Sequence, residues 1–168
     1  MQAARLTPTS YIVLGLLERA GEATPYELKG LAAASVANFW SVPHSQLYAE
    51  PKRLASAGYL SEDRERRGRR RRVYRLTAKG RNALSLWRGE ATTALPELRD
   101  LALLKLFFGA DPATIAPEQI AAHRAKRDEY EALRTALGDE PSLAGPARTL
   151  EAGIAHEGEW ISYWEGLA

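Results

Sequence analysis

The stretch from residue 64 to residue 75 restricts the fold of this chain more than any other feature. Eight of its twelve positions are arginine: Arg64, Arg66, Arg67, Arg69, Arg70, Arg71, Arg72 and Arg75. Guanidinium groups at this density repel one another, which costs folding stability, and a bound polyanion would relieve that cost through phosphate contacts. Strand-like alternation on both sides of Gly68 predicts a hairpin with strands over residues 59–66 and 71–76. A solvated basic hairpin tip without function is the alternative.

Two helix signals precede this hairpin. Thr7 and the proline after it predict the start of a first helix, which Gly21 ends. Thr24 and Glu27 form a capping-box pattern at the start of a short second helix.

A third helix is predicted over residues 43–57. Pro51 lies well inside this pattern, so we expect a kink or a shortened helix. After the hairpin, Thr77 predicts the cap of a fourth helix. Three helices followed by a two-stranded β wing predict a winged helix-turn-helix domain over residues 1–88.

The second half of the chain, residues 89–168, is predicted to be α-helical throughout. Residues 101–108 are apolar nearly all round, which suits a helix covered by other domains or subunits. Two longer helices, over residues 117–137 and 146–167, have few core positions of their own and need a partner. We therefore expect a mainly α chain whose second half is a dimerisation domain. Its contacts are predicted at Leu104, Phe107, Phe108, Tyr130, Leu133, Leu150, Ile154 and Ile161.

Charge is divided unevenly along the chain. Residues 1–88 carry 16 Lys and Arg against 7 Asp and Glu, a formal charge of +9, whereas residues 89–168 carry −7. A basic half joined to an acidic half indicates that the first contacts a polyanion and the second contacts protein.

The absence of cysteine excludes disulfides, thiol catalysis and cysteine-ligated metals. With no apolar leader or membrane span in the sequence, we expect a cytoplasmic protein with no membrane partner.

The exposed face of the third helix has the composition of a recognition helix. Its polar residues are His44, Ser45, Gln46, Tyr48, Lys52 and Arg53. The first of these would meet base edges in the major groove of double-stranded DNA, and the later ones would hold phosphates. Contacts of the wing to the flanking backbone or minor groove are predicted for Arg66, Arg67, Arg69, Arg70, Arg71 and Arg72. Taken alone, the helix is explained equally well as an ordinary polar surface.

Catalysis and metal binding find little support in the sequence. It contains no nucleotide-binding glycine motif, and His44, His123 and His156 are far apart along the chain. We therefore predict no catalytic residue, no metal and no cofactor.

Four aromatic side chains could line a site for an aromatic ligand, although core or dimer packing is the favoured interpretation. They are Trp40, Trp160, Tyr163 and Trp164.

Several segments resemble the PadR-like family of transcriptional regulators. They are SYIVLGLL (10–17), TPYEL (24–28), SQLYAEPKRL (45–54), RRRRVYRL with TAKGR (69–81) and LLKLFF (103–108). The resemblance implies an N-terminal winged helix that binds an operator, a C-terminal helical domain that dimerises and, in some members, a small aromatic effector. Smaller members of the family carry a single C-terminal helix, so the long second half resembles the larger subgroup.

These observations predict a homodimeric, sequence-specific DNA-binding regulator, more specifically a repressor, acting on a palindromic operator. An RNA-binding or nucleoid-associated protein that uses the basic wing without sequence preference is the alternative. A protein–protein adaptor would bind no DNA, and an enzyme would need a converging polar site that the sequence does not show.

Overall fold

A computed structural model describes residues 5–64 and 71–168 of the chain. Its elements are α1 (Pro8–Ala20), β1 (Glu22–Ala23), α2 (Pro25–Ala33), α3 (His44–Ser56), β2 (Leu60–Arg64), β3 (Arg72–Leu76), α4 (Ala78–Gly89), α5 (Leu101–Phe107), α6 (Pro112–Leu137) and α7 (Ala144–Glu165), with 3₁₀ turns at Val36–Asn38 and Pro141–Leu143. The chain divides into two compact units, Met1–Ala94 and Leu95–Ala168. The division follows residue 94 and not residue 88, and α4 itself continues to Gly89.

Local capping chemistry explains where the first two helices begin. The Thr7 amide donates to the Ser10 hydroxyl at 2.8 Å, and the Ser10 amide donates back to the Thr7 hydroxyl. At α2, the Thr24 amide donates to the Glu27 carboxylate at 2.7 Å in the same reciprocal arrangement. Gly21 ends α1 with a φ of 76°, a left-handed value that favours glycine. The predicted boundaries of both helices are confirmed.

The core of the first unit is formed where α1 to α4 meet the sheet. Fully or nearly fully buried apolar side chains come from every one of these elements: Val13, Leu14, Leu17, Leu28, Leu47, Leu54, Leu60, Tyr74 and Leu84. Leu47 and Leu54 of α3 are among them, so α3 turns its opposite, polar face outward. The burial fixes which side of α3 is available to a ligand.

The wing contains three strands and not two. The sheet order is β1-β3-β2, all antiparallel, with Leu60 opposite Leu76 and Arg64 opposite Arg72. Strand β2 begins at Leu60 and β3 at Arg72, one residue after the predicted starts at 59 and 71, and the predicted end of the first strand at residue 66 lies outside the described residues. Two residues of β1, Glu22 and Ala23, pair with β3, and a strand that short contains no alternation by which the sequence could reveal it.

The prolines interrupt the helices less than the sequence predicts. Helix α3 continues through Pro51 to Ser56, so the prediction of a shortened helix is wrong. Pro51 is buried on the core face of α3, and this packing compensates for the one backbone hydrogen bond that proline cannot donate. Helix α6 begins at Pro112 and not at Pro117, because the Asp111 side chain caps it at 3.0 Å. Helix α7 begins at Ala144, which places its proline in the first turn, where no helical amide partner is lost.

In the second unit, α6 packs along α7. Tyr130 and Ile161 are buried between them, and the fully buried Trp164 joins Ala102 of α5 and Ala116 of α6 in a small core. Helix α5 is not covered within one chain, since Ala102 is its one buried residue. No helix in the described part of the chain is both long and apolar enough to cross a membrane.

Candidate nucleic-acid interface

Helix α3 presents a polar face at its amino-terminal end. His44, Ser45 and Gln46 occupy its first turn and are exposed, and Tyr48 and Lys52 follow on the same exposed side. None of these five side chains contributes to the core of the unit. The face matches the predicted one, and its residues are accessible to a ligand as large as a duplex.

Gln46 is tied to the first helix. The Thr9 hydroxyl donates a hydrogen bond of 2.8 Å to the side-chain oxygen of Gln46. The contact joins residues 37 positions apart, so no local pattern predicts it.

Arg53, which the sequence predicts as a phosphate ligand, is held in an internal ion pair. Its guanidinium donates to both carboxylate oxygens of Glu50 at 2.8 and 2.6 Å and to the Ser10 hydroxyl at 2.9 Å, while Ser10 donates to Glu50 at 2.6 Å. The hydrogen bond that Arg53 donates to Glu50 raises the pKa of Arg53. The group joins α3 to the buried Ser10 of α1, so Arg53 positions the recognition helix and its charge is already neutralised.

Glu50 was not among the residues singled out from the sequence. Burial raises the pKa of its carboxyl, but hydrogen bonds from Arg53 and Ser10 lower it by more, and the net pKa lies below the ordinary value. Its position three residues before Arg53 on a helix is a signal that could have indicated the pair.

The base of the wing carries its own counter-charges. Glu62 accepts from Arg64 at 3.1 Å, lies 3.6 Å from the Arg72 guanidinium and accepts from the Tyr74 hydroxyl at 3.1 Å. Burial raises the pKa of Glu62, but the hydrogen bonds from Arg64 and Tyr74 and the nearby Arg72 charge lower it below its ordinary value. Arg72, predicted as a DNA ligand, is thus partly neutralised within the sheet.

Arg75 lies on the outward side of β3, between two carboxylates. It pairs with Glu22 of β1 and with Asp63 of β2. These pairs span all three strands and reduce the arginine repulsion that the sequence predicts for the ribbon. Neither acidic residue was identified from the sequence as part of this arrangement.

The tip of the wing falls partly outside the described residues. Arg66, Arg67, Arg69 and Arg70 lie there, and their predicted contacts are not tested. Arg71, the first residue described after the tip, is exposed. Hydrogen bonds from the Thr24 amide and hydroxyl lower the pKa of Glu27, and the positive charge of Arg71 lowers it further.

Comparison with known proteins shows what this chain is similar to. The family model for the transcriptional regulator PadR-like family matches residues 13–86. The negative transcriptional regulator PadR of Bacillus subtilis (strain 168) is 26% identical over 172 residues, covering 94% of this chain and 93% of that protein. The chain is therefore similar to PadR-like transcriptional regulators, with the family match lying in its first half.

Solved PadR structures share the whole architecture of this PadR-like chain. The crystal structure of Bacillus subtilis PadR in complex with operator DNA has a TM-score of 0.80 and 25% identity, covering 94% of this chain and 95% of that one. The structure of the same protein with p-coumaric acid has a TM-score of 0.77 and 24% identity over 96% of each chain. The predicted mainly α fold, a winged helix followed by C-terminal helices, is confirmed.

The candidate aromatic ligand residues are divided between the two units of the chain. Trp40 belongs to the first unit, whereas Trp160, Tyr163 and Trp164 belong to the second. Trp164 is fully buried in the small core, so it serves packing and is not accessible to a ligand. Trp160 and Tyr163 are more exposed and lie edge to face, with ring centroids 5.6 Å apart.

Two histidines that are distant in sequence converge on Trp160. The His123 ring stacks on the Trp160 ring, with centroids 5.8 Å apart. The indole nitrogen of Trp160 donates to His156 Nε2 at 3.1 Å. His123 Nδ1 lies 2.5 Å from the Glu157 carboxylate, which links α6 to α7. Within the described residues no group of His, Asp and Glu is placed to hold a metal ion.

The predicted dimerisation residues fall into two classes. Leu104, Phe107, Phe108 and Leu133 are exposed, and Leu150 and Ile154 are half-buried. Tyr130 and Ile161 are buried within a single chain. Their part in a dimer stays a prediction, since an amphipathic helix shows which face is apolar but not which neighbour covers it.

Proposed function

We propose that this PadR-like chain represses transcription as a homodimer that binds a palindromic operator through α3 and the wing. The observation that carries the proposal is the exposed first turn of α3, where His44, Ser45 and Gln46 stand clear of the core on a helix-turn-helix scaffold. The likeness to PadR bound to operator DNA supports it over nearly the whole chain. Action on DNA also places the protein in the cytoplasm.

The proposed contacts divide by chemistry. The amide of Gln46 and the imidazole of His44 read base edges in the major groove, because both can exchange hydrogen bonds there. Tyr48 and Lys52, one turn further along the exposed face, hold phosphates. Arg53 keeps α3 seated on α1, and the wing tip supplies the remaining positive charge.

Fluorescence anisotropy with duplex DNA at several salt concentrations tests these roles. Lys52→Ala should weaken binding to every duplex and reduce the log–log salt slope by about 0.9, the value for one phosphate contact. Gln46→Ala should instead reduce discrimination between operator and random duplex while leaving the salt slope unchanged. Equal affinity of the unmodified protein for operator, random DNA and RNA would establish the non-specific alternative, and no binding at all would favour an adaptor.

The dimer is proposed from the exposed face of α5. Leu104, Phe107 and Phe108 place three large apolar side chains in solvent, with Phe107 exposed by 82% and Phe108 by 78%. A second copy of the chain would remove this surface from water and supply the two-fold symmetry that a palindrome requires.

Control by a small aromatic molecule is proposed on the likeness to PadR, which has been solved with p-coumaric acid. Trp160 and Tyr163 are the accessible aromatic residues of α7 that could stack on such a ring. Tryptophan fluorescence titrated with p-coumaric acid, with and without operator, tests this proposal, and a Trp160→Phe variant assigns the signal. A tenfold loss of DNA affinity requires about 1.4 kcal/mol of coupling, so equal ligand affinity in both titrations would refute it.

A further inference from the structure

The first turns of α1 and α3 meet at Thr9 and Gln46. The Thr9 hydroxyl donates to the Gln46 side-chain oxygen over 2.8 Å. One turn along α3, Ser10 donates to Glu50 over 2.6 Å, so a second hydrogen bond joins the same two helices. Arg53 completes this link by donating to both Ser10 and Glu50. The distance between the two helices is therefore held independently of Thr9.

The hydrogen bond from Thr9 limits what the Gln46 amide can offer a ligand. A glutamine amide has an oxygen that accepts and a nitrogen that donates two hydrogens. The oxygen keeps a second lone pair, but its bond to Thr9 turns it towards α1, so the amide nitrogen and its two hydrogens are the groups presented to a base edge. An amide free to turn recognises adenine with both groups, accepting from N6 and donating to N7.

We infer that Thr9 is a positioning residue that makes Gln46 a hydrogen-bond donor to the base edge, so that Gln46 selects guanine over adenine. Guanine presents two acceptors in the major groove, N7 and O6, which match the two amide hydrogens. Adenine offers one acceptor beside a donor, and the N4 amine of cytosine is a donor, so both would face the amide with a mismatched group. The inference rests on the proposed function and deepens it, since it states which base α3 selects.

Selection from a library of randomised double-stranded DNA, sequenced after capture by the full-length protein, tests the inference. The base pair that loses its preference in Gln46→Ala is the one that Gln46 contacts. At that pair the unmodified protein should prefer guanine over adenine by roughly tenfold. Thr9→Val, which keeps the shape but removes the hydroxyl, should move the preference towards adenine at that pair alone. Thr9→Ser, which keeps a hydroxyl, should retain the guanine preference.

The double variant Thr9→Val with Gln46→Ala separates positioning from a general structural role. If Thr9 acts through Gln46, the double variant has the same selection profile as Gln46→Ala. An unchanged guanine preference in Thr9→Val, an adenine preference in the unmodified protein, or a uniform loss of affinity at all base pairs in Thr9→Val would each overturn the inference while leaving the proposed function standing. Failure of the unmodified protein to enrich any sequence would overturn the proposed function and the inference with it.

Discussion

Replacement of Gly80 by alanine should destabilise the winged-helix unit, because the backbone of Tyr59, immediately before β2, occupies the space that a side chain needs. Gly80 is the third residue of α4, and a Cβ there would lie 2.2 Å from the carbonyl oxygen of Tyr59. The same oxygen accepts from the Thr77 amide at 3.1 Å and from the Thr77 hydroxyl at 3.0 Å. Relief of the overlap requires a movement of about 1 Å, which separates α4 from the start of β2 and lengthens both hydrogen bonds.

The magnitude follows from three opposing contributions. Overpacking of a filled site costs about 1–3 kcal/mol, and weakening of the Thr77 hydrogen bonds costs about 1 kcal/mol more. Alanine recovers up to about 1 kcal/mol of helix propensity relative to glycine. The net effect expected for Gly80→Ala is a loss of about 2 kcal/mol from the free energy of unfolding.

Native-state hydrogen exchange of the β3 amides measures this change within the first unit, at one fixed protein concentration. Gly15→Ala is the matched control, since no described atom lies within 4 Å of a Cβ at Gly15 in the interior of α1. We expect the control to gain up to about 1 kcal/mol in unfolding free energy. Equal effects of the two substitutions would refute the steric argument.

Three further outcomes are expected. The pKa of Glu50 is lowered in the folded state, so the stability that the ionised carboxylate contributes is complete above the unfolded-state pKa of about 4.3. This stability is lost as the pH falls through the lower pKa of the folded state. Glu50→Gln should therefore flatten the acid-induced fall in unfolding free energy, measured by urea titration at several pH values. Gly158→Ala should stabilise α7 by about 1 kcal/mol in thermal unfolding, and Gly153→Ala should stabilise it less because its Cβ would meet the Tyr130 ring at 3.0 Å. Phe107→Ser should lower the dimer mass found by light scattering towards that of a monomer, and a monomeric unmodified protein would refute the dimer proposal.

The sequence predicts most accurately those features that are determined by neighbouring residues. The reciprocal caps at Thr7 and Thr24 lie within four consecutive residues, and the left-handed turn at Gly21 depends on one residue. The hairpin is of the same kind, since its paired strands β2 and β3 are close together in sequence. Such signals require no knowledge of what packs against the element.

The features that the sequence does not reveal depend on distant contacts. The sequence pattern predicts that Arg53 is an exposed cation, because Ser10, to which its guanidinium donates a hydrogen bond, lies 43 positions earlier in the chain. The strand at Glu22–Ala23 exists because β3 lies next to it, and its two residues carry no pattern. Tyr130 was assigned to an intermolecular contact because its apolar character does not distinguish the partner helix of the same chain from a second copy.

The ion pairs of the sheet reduce the number of unpaired positive charges that the first unit can offer to DNA phosphates. Residues 1–88 carry a formal charge of +9, but Arg75 is offset by Glu22 and Asp63, and Arg72 shares Glu62 with Arg64. Exposed pairs of this kind contribute at most about 1 kcal/mol each, whereas a phosphate contact also gains from counterion release. Arg72 can therefore exchange its 3.6 Å contact with Glu62 for a phosphate at little cost, while Arg75, held from both sides, stays with the sheet. Carboxylates at the base of the wing thus offset part of the arginine repulsion within β2 and β3.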